Sequence, residues 1–167
     1  MDGMIYPYRM LQDPPALLPT VLYIDDELAN RQTFKAAFRT SFNVLLAADL
    51  STAWPILERE EVHVVISDQR MPGVMGCEAL LQIKERYPQV RRMLITAHAD
   101  LQALVDALNQ AGVCHYIQKP WEAAEVHAAV MSAWADYKAE HERAAFTEKL
   151  IESNRQLEFA LRQSLLS

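Results

Sequence analysis

The protein is a chain of 167 residues with Lys+Arg 16, Asp+Glu 22 and a formal net charge of -6 at pH 7. This acidic balance argues against binding nucleic acid or a membrane surface through bulk charge. The two cysteines, Cys77 and Cys114, lack metal-ligand or disulfide spacing. No stretch approaches the ~18 apolar residues of a membrane span. We therefore expect a cytoplasmic protein that has no membrane segment and does not bind nucleic acid directly.

Residues 1–19 hold four prolines, which predict an irregular N-terminal arm. Beyond them, short apolar runs alternate with segments of helical spacing. The predicted strands are residues 21–24, 43–48, 62–67, 92–96 and 114–118. Asp26 and Asp49 are candidate helix N-caps, and Pro88 and Gly112 follow predicted helices. Apolar strands that alternate with helices predict an α/β fold with a parallel sheet covered on both faces.

The C-terminal segment has neither Gly nor Pro after Pro120, so the fifth predicted helix begins near Glu122 and runs far beyond the ~12 residues of an average helix. With Leu150 and Leu157 at heptad position d, Asn154 and Leu161 fall at a, a pattern that favours a two-stranded coiled coil. A helix that packs back on its own domain or frays is the alternative. We expect a 20–137 domain followed by a 138–167 helical extension.

Chemically active side chains stand at the predicted strand ends. Asp25 and Asp26 follow the first strand, and Asp68 ends the third. Thr96 ends the fourth strand, and Lys119 follows the fifth. Ligands of open α/β sheets bind outside the carboxyl ends of the strands. The sequence therefore places a functional site at this edge.

Three clustered carboxylates repel one another, and a hard cation with oxygen ligands offsets that repulsion. Lys119 adds a positive charge suited to a phosphoryl oxygen. An acid cluster, Mg²⁺ and a lysine are the parts that phosphoryl transfer requires, with Asp68 as the nucleophile that forms an acyl phosphate.

The motifs YIDDE, SDQRMPG, ITA and YIQKPW resemble those of receiver domains of two-component response regulators, of the chemotaxis-receiver type, over residues 20–137. The resemblance implies a flavodoxin-like, doubly wound, five-stranded parallel sheet with strand order 2-1-3-4-5. It implies that Asp68 accepts a phosphoryl group from a histidine kinase or a histidine phosphotransfer protein. It also implies that Asp26, Asp68 and the carbonyl of Arg70 bind Mg²⁺, with Asp25 acting partly through water.

By the same resemblance, Thr96 and Lys119 engage the phosphoryl oxygens and Tyr116 is the switch aromatic. The side chains of Arg70 and His98 are expected to tune the lifetime of the phosphoryl group. A cis peptide bond commonly precedes the position of Pro120 in this family.

Other residues are predicted to be structural. His63 is expected inside the third strand as a packed side chain. Trp54, Met93 and Cys114 are expected to fill buried or partly buried positions.

The leading hypothesis is a signalling phosphoacceptor that catalyses only its own phosphorylation and dephosphorylation. We expect it to homodimerise through the face of the fourth helix, fifth strand and fifth helix and through the C-terminal helix. The alternative is a receiver fragment of a larger regulator whose effector, DNA-binding or a cyclic-di-nucleotide phosphodiesterase, lies outside this chain. A phosphorylation-independent interaction module and a phosphatase of the haloacid-dehalogenase type are rivals, although Arg70 stands where such a phosphatase has its general acid.

Overall fold

The computed structural model of the protein describes residues 17–97, 105 and 108–167. The strands are β1 Thr20–Ile24, β2 Asn43–Ala47, β3 Val64–Asp68, β4 Arg91–Thr96 and β5 His115–Gln118. The helices are α1 Leu28–Phe38, α2 Leu50–Arg59, α3 Gly76–Arg86, a segment that includes residues 105 and 108–111, here called α4, and α5 Ala123–Leu166. The predicted alternation of strands and helices is confirmed.

All strand pairs are parallel, and their order in the sheet is β2-β1-β3-β4-β5. The predicted doubly wound fold is therefore confirmed. Every residue of the central strands β1 and β3 is buried. Strands covered on both faces need apolar residues at nearly every position, which explains the continuous apolar runs in the sequence.

Two apolar cores lie on opposite faces of the sheet. One includes Leu22 and Val65 beneath α2 and α3. The other includes Ile66 and an aromatic group under α1 and α5, in which Tyr23 stacks on Phe34 with ring centroids 4.1 Å apart. Side chains that alternate along β1 therefore enter different cores, as the two-residue period of a strand requires.

Most of the predicted helix ends agree with the structure. Asp49 caps α2, since its carboxylate accepts a hydrogen bond from the backbone N–H of Thr52 at 2.8 Å. Gly112 follows α4 with a φ of 59°, a conformation that glycine adopts without strain. The prediction for Asp26 is wrong, because the N-cap residue of α1 is Glu27 and no side chain caps that helix.

Two predicted placements of single residues also need correction. His63 precedes β3 rather than lying within it, although it is packed: its Nδ1 accepts a hydrogen bond from the backbone N–H of Thr20 at 2.8 Å. Cys114 is exposed, just before β5. Trp54 is partly buried and Met93 is fully buried, as predicted.

Helix α5 is 44 residues long and packs on the sheet only at its beginning. Its buried residues are Val126, Ala129, Val130, Ala133 and Tyr137. Arg91 at the start of β4 joins this part of the helix through ion pairs with Asp136 at 3.8 Å and Glu140 at 3.6 Å. Every residue after Tyr137 is exposed, and beyond the Glu140 contact the extension projects from the domain and does not pack back on the described chain. No helix of the described chain has both the length and the apolar character that crossing a membrane requires.

Candidate functional site

The strand ends bring three carboxylates together at the carboxyl edge of the sheet. Ligand oxygens of Asp25, Asp26 and Asp68 all lie within 4.8 Å of one another. Asp25 is 0% exposed and Asp68 is 7% exposed, whereas Asp26 is open to solvent. Oxygen donors at this spacing fit a hard divalent cation, which would offset their mutual repulsion.

Lys119 lies against the two buried carboxylates. Its Nζ is 3.0 Å from Asp68 Oδ1 and 3.9 Å from Asp25 Oδ2. The lysine is positioned by the β4–β5 pairing, because its backbone N–H donates to the carbonyl of Thr96 at 2.8 Å. The peptide bond between Lys119 and Pro120 is cis, as the sequence resemblance implied.

Burial raises the pKa of the Asp68 carboxyl above its ordinary value. The hydrogen bond and charge of Lys119 oppose this shift in pKa, and the charge of Asp25 adds to it. The negative charge on Asp68 is thus unfavourable where it stands, even with the lysine beside it. An additional cation or a covalent partner that satisfies the oxygens would relieve this cost.

A tight turn after β3 holds the end of this strand against α3. The backbone N–H of Gly76 donates to the carbonyl of Gln69 at 2.9 Å, and the side chain of Gln69 accepts from the N–H of Cys77 at 2.9 Å. A Cβ on Gly76 would overlap the carbonyl oxygen of Asp68. Only glycine permits this close approach of the helix start to the strand end.

Thr96 and Tyr116 lie on the neighbouring strands β4 and β5. Thr96 is 2% exposed, at the end of β4. Tyr116 pairs with Leu94 across the strands and is partly buried against the core under α2 and α3. Arg70 is exposed in the turn after β3, and His98 lies outside the described residues. The structure therefore brings Asp25, Asp26, Asp68 and Lys119 together and places Thr96 at the same edge.

Sequence reasoning missed the residues that hold Asp25. Tyr23 donates its hydroxyl to Asp25 Oδ2 at 2.8 Å, and Asn30 Nδ2 donates to the same oxygen at 3.1 Å. The backbone N–H of Glu27 donates to Oδ1 at 2.9 Å, and Arg31 donates to the Asp25 carbonyl at 2.7 Å. The sequence did contain a signal for the contact between Tyr23 and Asp25. Residues two apart on a strand share a face, and Tyr23 precedes Asp25 by two positions.

Comparisons with known proteins identify the family to which the chain is similar. Residues 21–131 match the family described as response regulator receiver domain. Hydrogenase transcriptional regulatory protein HoxA of Cupriavidus necator is 36% identical over 102 residues, which cover 61% of this chain and 21% of that protein. Response regulator protein FleR of Pseudomonas aeruginosa is 36% identical over 104 residues, which cover 62% of this chain and 22% of that protein. The chain spans about a fifth to a quarter of the length of such relatives.

Solved structures give the same result. A receiver domain protein from Clostridium thermocellum has a TM-score of 0.68 at 30% identity, with 73% of this chain and 98% of that chain covered. The receiver domain of an HD domain-containing protein from Pseudomonas fluorescens Pf-5 has a TM-score of 0.69 at 27% identity, with 74% and 99% covered. With the family match over residues 21–131, the strand order and the acidic edge of the sheet, the chain belongs to the receiver domains of two-component response regulators.

Proposed function

We propose that Asp68 is the phosphoacceptor of this receiver domain and takes its phosphoryl group from a phosphohistidine of a histidine kinase or a histidine phosphotransfer protein. A carboxylate oxygen of Asp68 attacks phosphorus, so that a P–O bond forms as the P–N bond breaks. The bonding electron pair leaves with the imidazole of the donor. The observation that carries the proposal is the buried Asp68 carboxylate, 3.0 Å from Lys119 within a cluster of three acids.

The residues present fit a bound Mg²⁺. Asp26, Asp68 and the carbonyl of Arg70 would hold the ion, and Asp25 would act partly through water. When bound, Mg²⁺ supplies positive charge that offsets the acids and the phosphoryl oxygens. Lys119, beside Asp68, neutralises further charge on the transferred group.

Signal transmission would use two residues on the neighbouring strands β4 and β5. Thr96 would engage a phosphoryl oxygen, and Tyr116 would change its packing in response. Arg70 and His98 would limit the access of water to the acyl phosphate and so set its lifetime. In this proposal the chain catalyses only its own phosphorylation and dephosphorylation.

The test is phosphorylation by a small phosphodonor with Mg²⁺, followed as intact mass. We expect one phosphoryl group on the wild type, and none on Asp68→Asn or on the wild type with a chelator. Addition of phosphate to Asp68→Asn at the same rate would contradict the assignment. Steady hydrolysis of a generic phosphate ester would instead favour a phosphatase, and an intact partner interaction without any phosphorylation would favour an independent binding module.

The output of the switch is proposed from the relatives. Curated relatives include proteins named as transcriptional regulators, among them the DNA-binding transcriptional regulator NtrC of Escherichia coli, which is 40% identical over 79 residues. We infer that this receiver domain controls either a partner protein or an effector of a larger regulator. Phosphorylation shifts the population between two conformations, to the extent that the partner or effector prefers one of them.

The projecting part of α5 favours a homodimer. Four apolar side chains that are between 49% and 64% exposed form a stripe along one side of this helix: Phe146, Leu150, Leu157 and Leu161. At about 100° per residue, this stripe is rotated by roughly 120° from the face of α5 that packs on the sheet. The stripe therefore cannot reach its own domain by simple continuation of the helix. We propose that a second copy of the chain covers this stripe. Asn154 would set the register of the two helices, and the face of α4, β5 and α5 would also contact the second copy.

Light scattering across concentration, with and without phosphodonor, tests the homodimer. Leu157→Lys should dissociate it, because the charge would enter the apolar seam. Phe159→Lys is the matched control, since Phe159 is 65% exposed on the opposite side of the helix. An intact chain that stays monomeric at high micromolar concentration in both states would rule out the dimer, as would equal effects of the two substitutions.

A further inference from the structure

Tyr23 is both a core residue and a residue of the acidic site. Its side chain is 1% exposed, and its ring stacks on Phe34 with an interplanar angle of 6°. Its hydroxyl leaves the core and donates to Asp25 Oδ2 at 2.8 Å.

The hydrogen bonds of Asp25 divide its two carboxylate oxygens into different roles. Oδ2 accepts from Tyr23 at 2.8 Å and from Asn30 at 3.1 Å. Because a carboxylate oxygen offers about two lone pairs, these two donors occupy Oδ2. Oδ1 accepts from the backbone N–H of Glu27 at 2.9 Å.

The position of Lys119 follows from this division. Its Nζ lies 3.9 Å from Asp25 Oδ2 but 3.0 Å from Asp68 Oδ1. A buried carboxylate oxygen without its donors would attract the nearest ammonium group, because an unsatisfied buried charge is costly. Lys119 is within a short side-chain movement of that oxygen. When donors occupy both lone pairs of Oδ2, this attraction on the ammonium group is weaker.

We propose that Tyr23 and Asn30 are positioning residues that occupy Oδ2 of Asp25 and thereby keep Lys119 on the phosphoacceptor Asp68. The inference rests on the proposed phosphoacceptor role of Asp68. Under this proposal the Tyr23 hydroxyl influences phosphorylation through Lys119. A tyrosine hydroxyl that formed this hydrogen bond only to satisfy itself would have no such influence.

The first measurement is a crystal structure of Tyr23→Phe, which retains the ring and removes one oxygen. We expect Lys119 Nζ to move into hydrogen-bonding distance of Asp25 Oδ2 and away from Asp68. Asn30→Ala removes the other donor, which belongs to a partly buried residue outside the core, and should move Lys119 in the same direction even if Tyr23→Phe does not fold. A lysine that stays on Asp68 in the folded variants would overturn the proposal. This outcome does not depend on phosphorylation, so it is separate from a failure of the proposed function.

The second measurement is a double-mutant cycle on the rate of phosphorylation by a small phosphodonor at saturating Mg²⁺. Tyr23→Phe should lower the rate about three- to tenfold in the wild-type background, the scale of one hydrogen bond. In the Lys119→Ala background the same substitution should lower it less than about twofold, since residues that act through one another are not additive. Equal losses in the two backgrounds, or no loss in the wild type, would overturn the proposal.

Tyr137→Phe is the matched control for a lost tyrosine hydroxyl. Tyr137 donates to Glu61 at 3.4 Å at the opposite edge of the sheet, where β3 begins. The Tyr137→Phe variant should be phosphorylated at the same rate as the wild type. A slower rate equal to that of Tyr23→Phe would show that the loss is a general effect of removing a tyrosine hydroxyl, and would also overturn the proposal.

Discussion

Substitution of Lys119 by alanine should destabilise the metal-free protein and make its stability depend more strongly on Mg²⁺. Lys119 Nζ lies 3.0 Å from the Asp68 carboxylate and 3.9 Å from that of Asp25. At an effective dielectric near 20, unit charges at these separations attract by about 5.5 and 4 kcal/mol. The net loss of stability is smaller than this attraction for two reasons. The lysine is 25% exposed, so solvent screens its charge, and removing it also removes the cost of desolvating its ammonium group.

We therefore expect Lys119→Ala to lose about 3 kcal/mol in free energy of unfolding, near the lower end for breaking a buried ion pair. For a chain of this size that corresponds to a fall of roughly 6–12 °C in Tm. Mg²⁺ should raise the Tm of the variant by more than it raises that of the wild type, because the ion then meets carboxylates that have lost the ammonium group beside them.

The assay is thermal unfolding in chelator and in millimolar Mg²⁺. Lys84→Ala is the matched control, since Lys84 is a partly buried lysine that donates to the carbonyl of Gln110 at 3.0 Å, away from the acidic site. The reasoning would be refuted if Lys119→Ala were no less stable than Lys84→Ala. It would be refuted equally if Mg²⁺ raised the Tm of Lys119→Ala and the wild type by the same amount.

Three further predictions concern the framework. Gly76→Ala should lower the free energy of unfolding by about 2 kcal/mol or more, because its Cβ would overlap the Asp68 carbonyl oxygen; a neutral effect in urea unfolding would contradict this close approach. Asp49→Ala should cost about 1 kcal/mol through loss of the α2 cap, and a loss below about 0.3 kcal/mol in the same assay would contradict the cap geometry. Burial lowers the pKa of His63 in the folded protein. The buried neutral imidazole therefore contributes stability at pH values above its ordinary pKa near 6.5, and this contribution is lost as the pH falls toward the folded-state pKa. Unfolding between pH 7 and 5 should thus be less pH-dependent in His63→Gln than in the wild type, and an exposed-site control, His115→Gln, should behave as the wild type.

The fold was predictable because its strongest sequence signal is a physical requirement of a parallel sheet. Central strands that are buried on both faces must be apolar throughout, and β1 and β3 are fully buried. The acids were predictable for a related reason, since a charge that follows such a strand emerges at the carboxyl edge of the sheet. Asp25 and Asp68 occupy that edge as the sequence indicated.

What the sequence did not predict depends on side-chain direction and on the exact ends of elements. Tyr23 belongs to an apolar run, so its ring was assigned to the core and its hydroxyl was overlooked. Asp26 is of a residue type common at N-caps, but α1 begins one residue later than that cap would require. The Asp26 carboxylate lies in the acidic cluster instead. His63 lies one position before β3, where a single residue separates strand from loop. Cys114, just before β5, is exposed because burial there begins only within the strand.

Chemical location of the phosphoryl group tests whether Asp68 is the phosphoacceptor. The wild type, incubated with a small phosphodonor and Mg²⁺, would be reduced with borohydride, which converts an aspartyl phosphate into homoserine, and then mapped by peptide mass spectrometry. The account predicts homoserine at position 68 alone, and none when the phosphodonor or Mg²⁺ is omitted. Homoserine at another acidic position such as Asp25 or Asp26, or its absence from a folded protein under all conditions, would contradict the account.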